Sequence, residues 1–261
     1  MSVTGNDRAA ALRALHVPGS PLVLPNVWDA ASARIVEAAG FPVVATGSAA
    51  VARVLGYADG HETPVEEMLA AIARITRAVG VPVTADIERG YGLEPAELVE
   101  RLAATGAVGC NLEDSDPGTG SMIDPDEQAG FLAAVRAAAT GAGVDLVINA
   151  RVDTFLHGDG TPGARVADAL ERGRRYLEAG ADCVYPLWVT DAGLIRTLAG
   201  EMGGPINVLF RPGTPSLQEL AALGVARVSF GPGLHRAVQE LTERMVADVA
   251  AGRSPYPLRE G

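Results

Sequence analysis

Short apolar runs rich in β-branched residues recur along the chain, and each is followed by a longer stretch whose apolar positions have helical spacing. This alternation is typical of parallel strands joined by crossover helices. The predicted strands are residues 21–25, 42–46, 82–86, 109–113, 145–150, 183–186, 206–210 and 227–230. Eight strand-helix units predict a (β/α)₈ TIM barrel. An open doubly wound sheet is the alternative, but no Gly-x-Gly-x-x-Gly motif follows the first strand.

The domain boundaries follow from the same pattern. We expect residues 1–261 to form a single barrel domain, with an N-terminal helix or extension at 1–18 and a C-terminal tail at 252–261. The clearest helix is predicted from Pro64 to Val79, where apolar residues recur with a period of 3.6. Thr63 and Glu66 have the spacing of a capping box at its start.

Composition narrows the possible partners and the location. The formal net charge of −11 disfavours nucleic acid and anionic membranes as partners. The chain contains no apolar run near 18 residues and no secretory leader pattern at its start, so we expect a cytoplasmic protein. Cys110 and Cys183 lie in apolar runs outside any Cys-x-x-Cys motif, which predicts buried free thiols.

The most informative motif is Pro-Val-Thr-Ala-Asp-Ile-Glu-Arg-Gly-Tyr-Gly at residues 82–92. Side chains two apart on a strand point the same way, so Asp86 and Glu88 are predicted to converge at the end of the third strand. Two converging carboxylates repel each other unless a cation or a proton lies between them. The motif is therefore a candidate metal site, although bridges from both acids to basic side chains are an alternative.

Further polar residues follow the neighbouring strands, at the end of the barrel where active sites lie. The candidates are Thr46, Gly47 and Ser48 after the second strand, Asp59 in a glycine-rich loop, Glu113 and Asp114 after the fourth, and Arg151 after the fifth. Oxygen-rich sites suit Mg²⁺, with Mn²⁺ as a substitute, and a guanidinium can bind a substrate carboxylate.

Each of these residues has a plainer interpretation. Glu113 could pair with Arg151 without a metal, Asp59 could hold a turn, and Asp114 could cap the following loop. The histidines His61, His157 and His235 have no metal-ligand spacing, and we expect surface or core roles for them.

The motifs together resemble the isocitrate lyase and phosphoenolpyruvate mutase superfamily, and in particular its carboxyvinyl-carboxyphosphonate phosphorylmutase-like members, without indicating a subclass. Residues 86–92 resemble that superfamily's Asp-x-Asp-x-Gly-Tyr-Gly signature. Segments 29–34, 111–114, 150–153, 179–182 and 219–225 match as well, so the resemblance covers about residues 20–240. It implies the same barrel, in helix-swapped dimers that pair into tetramers.

The resemblance also implies roles for individual residues. Asp86 would ligate Mg²⁺ directly, and Asp59, Glu88 and Glu113 would hold its waters. The backbone of Thr46, Gly47 and Ser48 would cradle a substrate carboxylate, while Arg151 and Asn207 would bind its anionic groups. The shared chemistry is the formation of a pyruvate-like enolate stabilised by Mg²⁺, for which Arg151, Glu113 and Asp59 are the candidate catalytic residues.

The departures from the family pattern concern the loop after the fourth strand. The lyases carry Lys-Lys-Cys-Gly-His there, whereas residues 115–124 contain no cysteine, lysine or histidine. Phosphonate-processing members carry a histidine after the sixth strand, near which Leu187 stands here.

The leading hypothesis is a Mg²⁺-dependent lyase acting on a C–C bond of a small 2-oxo or 2-hydroxy acid. The alternatives are P–C bond chemistry and a non-catalytic carboxylate binder. The hydroxyls of Tyr57, Ser115, Thr119 and Ser121 are candidates for proton handling.

Overall fold

The computed structural model describes residues 4–60, 63–116 and 118–256, so the terminal parts of the predicted extension and tail lie outside it, as does His61. The described strands are β1 (Leu22–Leu24), β2 (Asn26–Val27), β3 (Val44–Thr46), β4 (Val83–Asp86), β5 (Gly109–Glu113), β6 (Val147–Val152), β7 (Cys183–Pro186), β8 (Asn207–Leu209) and β9 (Arg227–Ser229).

The described helices are α1 (Gly5–Ala14), α2 (Ala30–Ala38), α3 (Ser48–Leu55), α4 (Val65–Ala78), α5 (Pro95–Ala104), α6 (Pro125–Gly141), α7 (Thr154–His157), α8 (Pro162–Glu178), α9 (Ala192–Glu201), α10 (Leu217–Ala222) and α11 (Gly233–Ala250). None of the helices in the described part of the chain is long and apolar enough to cross a membrane.

The strands pair in parallel in the order expected of a (β/α)₈ barrel, which confirms the predicted fold class. One run of pairing joins β2 through β7 in chain order, and another joins β1, β9 and β8. The two runs meet twice: β1 continues into β2 across Pro25, and Val184 of β7 bridges Ile206 just before β8. The first predicted strand, residues 21–25, corresponds to β1, and Pro25 at its end separates β1 from β2 because proline has no N–H for the ladder. The fifth predicted strand lies two residues further along, as β6.

Helix α1 closes the amino-terminal end of the barrel. Its Ala9 and Leu12 are fully buried. They pack with apolar residues from the starts of the strands: Leu22, Leu24, Val43, Ala45, Val108 and Val147. The opposite end, where the strands finish, is thus the end left open for a site.

Helix α1 and the apolar residues packed against it form a plug at the amino-terminal end of the barrel. From this plug towards the carboxyl ends of the strands the barrel interior is polar, whereas branched apolar residues fill most barrels of this kind. Arg227 is 1% exposed, and its Nη2 donates to Oδ1 of Asn111 at 3.2 Å. The same oxygen accepts from Nδ2 of Asn149 at 2.8 Å. Strand register places Asn111 beside Asp86, so this polar layer lies directly against the base of the predicted site.

Helix α4 confirms the clearest predicted helix but not its cap. Its apolar face is buried as the spacing predicted. The N-cap residue is Pro64, which makes no side-chain cap bond, so the predicted capping box of Thr63 and Glu66 is wrong. Thr63 precedes the cap by one residue, and its hydroxyl therefore cannot serve the first free N–H groups of the helix.

Both cysteines are buried free thiols, as predicted. Burial raises the pKa of Cys110 and of Cys183 to about 12, which makes both thiols poor nucleophiles.

Candidate active site

A cavity of about 250 Å³ opens at the carboxyl ends of strands β3 to β6. Side chains predicted from separate segments line it together, which is the convergence expected at the mouth of a barrel. The polar and charged residues of its lining are Ser48, Asp59, Glu88, Glu113, Ser115, Asp116, Arg151 and His157.

Asp86 lies at the end of β4, and one of its two carboxylate oxygens is already held. Both the backbone N–H and the hydroxyl of Ser48 donate to Oδ2, at 3.1 and 2.9 Å. The backbone N–H of Asp86 donates to the hydroxyl oxygen of Thr46 at 3.0 Å. The other oxygen, Oδ1, is buried and has no hydrogen-bond partner in the described structure. A buried carboxylate oxygen left in this way is suited to a cation or a water.

The turn after β4 has an unusual backbone. Glu88 and Tyr91 have positive φ values of 52° and 55°, a region that side-chain-bearing residues rarely adopt. Glycines at 90 and 92 complete the left-handed turn. Glu88 is 3% exposed, and the Tyr91 hydroxyl donates to its Oε1 at 3.4 Å. Such strain at the rim of a cavity is typical of functional sites.

Arg151 is held by carboxylates on two sides. Its Nη1 lies 2.5 Å from Oε2 of Glu113, so the ion pair considered from the sequence is present. Its Nε and Nη2 donate to the two oxygens of Asp153 at 2.6 and 2.9 Å. The Ser115 hydroxyl also donates to Asp153, at 2.6 Å. Arg151 is therefore oriented before any ligand arrives, as a rigid binding group should be.

Burial and charge act together on this ion pair. Burial raises the pKa of Glu113 well above its ordinary value, and Arg151 only partly opposes that shift. Burial alone would lower the pKa of Arg151, but Glu113 and Asp153 together raise it. The guanidinium thus keeps its positive charge while partly buried among acids.

Asp114 has a different role from the loop cap considered from the sequence. It is fully buried, and its carboxylate accepts from the Asp153 backbone N–H at 2.8 Å, the Tyr176 hydroxyl at 2.8 Å and Nη1 of Arg172 at 3.3 Å. Burial raises its pKa to about 6. Asp114 therefore ties the end of β5 to β6 and α8, behind the cavity.

Asp59 reaches the cavity from the loop after α3, although much of the residue is exposed. Partial burial of its carboxyl raises its pKa, and the nearby charge of Asp86 adds to the shift. The neighbouring Tyr57 hydroxyl instead donates to Glu67 at 2.7 Å. Arg89 pairs with Glu127 at 2.8 Å and is not among the described residues of the lining.

The remaining predicted substrate-binding residues are only partly brought to the cavity. Ser48 lines it, whereas the Gly47 N–H donates to Val27 at 3.2 Å and the Thr46 carbonyl accepts from Asn26 at 2.8 Å. Asn207 does not line the cavity. It is buried inside the barrel and donates to Ser229 at 3.2 Å, so its substrate-binding role stays a prediction.

The structure adds one residue that sequence reasoning missed. His157, for which we expected a surface or core role, lines the cavity with Arg151 and Glu113. The available signal was its place six residues after Arg151, at the end of a single helical turn beyond β6. The other described candidate, His235, is buried as expected and contacts Trp28 edge to face with ring centroids 5.0 Å apart.

The donor set is compatible with one hard cation held mainly through water. No group of three or more His, Cys, Asp or Glu side chains in the described residues is arranged to enclose a metal ion. Mg²⁺ does not require such a group, because it keeps several waters and takes one or two direct carboxylates. Asp59, Glu88 and Glu113 line the cavity, and the unpartnered Oδ1 belongs to Asp86, which binds Ser48 of that lining, so together they provide such an arrangement.

Comparison with known proteins gives consistent matches along the chain. The family model for phosphoenolpyruvate phosphomutase matches residues 12–250. An inferred phosphonomutase from Burkholderia cenocepacia J2315 is 43% identical, with a TM-score of 0.89 over 93% of this chain and 100% of that one. An oxaloacetate decarboxylase from Rhodopseudomonas palustris is 30% identical over 97% of this chain and 88% of the relative.

A third match is the crystal structure of 2,3-dimethylmalate lyase, a member of the PEP mutase/isocitrate lyase superfamily. It is 28% identical, with a TM-score of 0.82 over 100% of this chain and 93% of that chain. Since the family model covers far more than half of the chain, the protein belongs to the phosphoenolpyruvate phosphomutase family of the PEP mutase/isocitrate lyase superfamily.

Proposed function

We propose that this protein is a Mg²⁺-dependent lyase that breaks a C–C bond in a small 2-oxo or 2-hydroxy carboxylate and leaves a pyruvate-like enolate. The observation that carries the proposal is the unpartnered Oδ1 of Asp86, whose carboxylate binds Ser48 of the cavity lining, together with the oriented guanidinium of Arg151 on that lining. The similarity to an oxaloacetate decarboxylase supports C–C rather than P–C cleavage. We expect the enzyme to act in the cytoplasm, without nucleic-acid or membrane partners.

The ion would be held by Asp86 directly and by Asp59, Glu88 and Glu113 through waters. Bound Mg²⁺ (or Mn²⁺ as a substitute) would supply positive charge beside the oxygen on which negative charge develops. Ser48 keeps Asp86 in place through its two hydrogen bonds, so the free oxygen faces a fixed direction.

Arg151 would bind the substrate carboxylate, because it is the one guanidinium among the described residues that line the cavity. The backbone of Thr46, Gly47 and Ser48, and Asn207 below them, would complete the anion site. Glu113 and Asp59 are the proposed acceptors for the proton of a 2-hydroxyl group. Burial raises the pKa of both carboxyls, which favours their taking up a proton.

The test is a panel assay for pyruvate release from oxaloacetate and from substituted malates, with and without added Mg²⁺. We expect turnover that requires the metal, and a rise in melting temperature with Mg²⁺ plus oxalate, an enolate mimic. Asp86→Ala should abolish both. If Mg²⁺ neither supports turnover nor shifts the melting temperature with oxalate, the lyase proposal fails.

The second candidate is mutase or hydrolase chemistry on a phosphonopyruvate-like substrate, which the 43% identity to an inferred phosphonomutase favours. Arg151 faces four acidic residues in the described lining, so a multiply charged phosphonate would meet little positive charge there. Release of phosphate, or formation of phosphoenolpyruvate, from phosphonopyruvate would favour this candidate. Loss of ligand binding in Asp86→Ala, with no reaction of the wild type, would instead indicate a non-catalytic binder.

A further inference from the structure

His157 is held over the cavity by the residue that also orients Arg151. Its backbone N–H donates to the carbonyl of Asp153 at 2.9 Å, which closes the single turn of α7. The Asp153 carboxylate binds Arg151 through both of its oxygens. One buried residue therefore orients the guanidinium and anchors the helical turn that carries the imidazole to the same cavity.

The ring of His157 also lies against the loop that follows β5. A Cβ atom on Gly120 would come within 3.3 Å of its Cε1 and 3.4 Å of its Nδ1. Gly120 has a φ of 69°, which glycine adopts without strain. The absence of a side chain at Gly120 thus leaves room for the imidazole at the cavity.

The hydroxyl groups considered for proton handling are committed elsewhere. Ser115 donates to Asp153 at 2.6 Å. Thr119 donates to Asp116 at 2.9 Å, and Tyr57 donates to Glu67. The fourth candidate, Ser121, does not line the cavity in the described structure. By contrast, the ring nitrogens of His157 form no hydrogen bond with the described residues, and an imidazole can donate a proton to a reacting group.

The proposed cleavage needs such a group. When the C3–C4 bond of an oxaloacetate-like acid breaks, carbon dioxide leaves and the bonding electron pair remains as an enolate. The former C3 must then take up one proton to give pyruvate. The donor recovers a proton from water, so one proton is consumed for each pyruvate and carbon dioxide formed. A positioned acid typically speeds such a step by about 10²–10⁴-fold.

We propose that His157 is the general acid that delivers this proton to the enolate carbon, in place of the cysteine of the Lys-Lys-Cys-Gly-His loop, which does acid–base work in the lyases that this chain resembles. The inference rests on the proposed lyase function, because it assigns a role within that reaction. His157 belongs to the segment after β6, so the acid would come from a different loop than in those lyases.

The experiment compares wild type with His157→Gln in two assays. The first is pyruvate release from oxaloacetate with Mg²⁺, measured as kcat and KM across pH. The second is exchange of the methyl protons of pyruvate with deuterium in D₂O, followed by NMR. We expect kcat and the exchange rate to fall about 100-fold or more, with KM within about threefold. We also expect one limb of the pH profile to disappear, and added imidazole to restore part of the rate.

His61→Gln is the matched control, since His61 follows Gly60 of the cavity lining but lies outside the described residues. Loss of exchange in that variant but not in His157→Gln would overturn the assignment, and so would full activity of His157→Gln. If wild type exchanges pyruvate protons without cleaving any substrate in the panel, the lyase proposal fails while the role of His157 is still tested. Wild type inactive in both assays would count against both.

Discussion

Asp153 is the residue on which most of the site geometry depends. It is fully buried, and its carboxylate receives two hydrogen bonds from Arg151 and one from Ser115. Its backbone N–H is bound by Asp114, and its carbonyl accepts from His157. A buried charge with this many donors is stable only as a fully satisfied network.

Replacement of Asp153 by Asn should weaken anion binding and destabilise the fold. The amide nitrogen cannot accept from Arg151, and Glu113 remains as its one carboxylate partner among the described residues. We expect the Kd for oxalate, measured by calorimetry with Mg²⁺, to rise tenfold or more, and the free energy of unfolding to fall by about 3 kcal/mol. Ser115→Ala removes one hydrogen bond and should cost only about 1 kcal/mol. An unchanged Kd in Asp153→Asn would contradict this role.

The sequence predicted residues of the candidate site but not the buried residues that hold them in place, and this difference has a physical cause. Asp86, Glu113 and Arg151 follow strands, and the barrel brings strand ends together whatever the details of packing. Asp114 instead contacts Arg172 and Tyr176, about 60 residues away, because of how α8 packs on β6 and β7. No local spacing encodes such a contact. His157 was missed similarly, because its role depends on the direction in which a one-turn helix leaves β6.

At the scale of elements, the plug formed by α1 requires a small residue on the strand beneath it. A Cβ on Gly109 of β5 would lie 2.9 Å from Cδ2 of Leu12 and 3.0 Å from the Val147 carbonyl oxygen. Helix and strand can approach this closely only because glycine lacks a side chain. The strand pattern predicted β5 itself, but the chain gives no local signal that an N-terminal helix packs on it.

Gly109→Ala should therefore destabilise the barrel. Leu12 could shift, but the backbone carbonyl cannot, so we expect a loss of about 1–3 kcal/mol in the free energy of unfolding by urea. Gly130 of α6 is the matched control, because a Cβ there would meet nothing within 4 Å. Gly130→Ala should be neutral or stabilising by up to about 1 kcal/mol. Equal stability of the two variants would show that α1 does not press on β5 as described.

His16, which follows α1, should make the stability of the fold depend on pH. His16 is buried, its Nδ1 lies 2.9 Å from the Leu12 carbonyl, and its Nε2 lies 3.5 Å from Nη1 of Arg227. Burial, together with the charge of Arg227, lowers its pKa to about 4, although Asp182 opposes the shift. Between pH 4 and 6.5 the unfolded chain therefore binds a proton here that the folded chain does not, so stability falls as the pH falls.

We expect His16 to lower the free energy of unfolding by about 2 kcal/mol at pH 5 relative to pH 7.5. This value follows from the difference between its pKa of about 4 and the ordinary pKa of histidine. His16→Gln keeps a polar side chain that does not titrate. Urea unfolding of both proteins at the two pH values should give a smaller loss in the variant. The interpretation fails if wild type and variant lose the same free energy between these pH values.

At the scale of the molecule, α11 is the helix that its own barrel covers least. Of its 18 residues, His235 is the one that is buried. Exposed apolar residues recur with helical spacing at Leu234, Val238, Leu241 and Val249, with Met245 half-buried between them. An apolar stripe of this kind on the last helix needs a partner. We propose that a second copy of the chain covers it, in the helix-swapped oligomer that the family resemblance implies.

The test is the molar mass in solution by light scattering after size-exclusion chromatography. We expect wild type at two or four times the 26.8 kDa of one chain. Full burial of one such aliphatic side chain stabilises the association by about 1.5–3 kcal/mol, so replacing two of them by charged residues should prevent the association. Val238→Glu with Leu241→Glu should shift the mass towards one chain and lower the melting temperature. Glu243→Lys, about 200° around the helix from Leu241, should leave the mass unchanged. A monomeric wild type at micromolar concentration would contradict the proposal. A monomer with full lyase activity in the double variant would show instead that the cavity is complete within one chain.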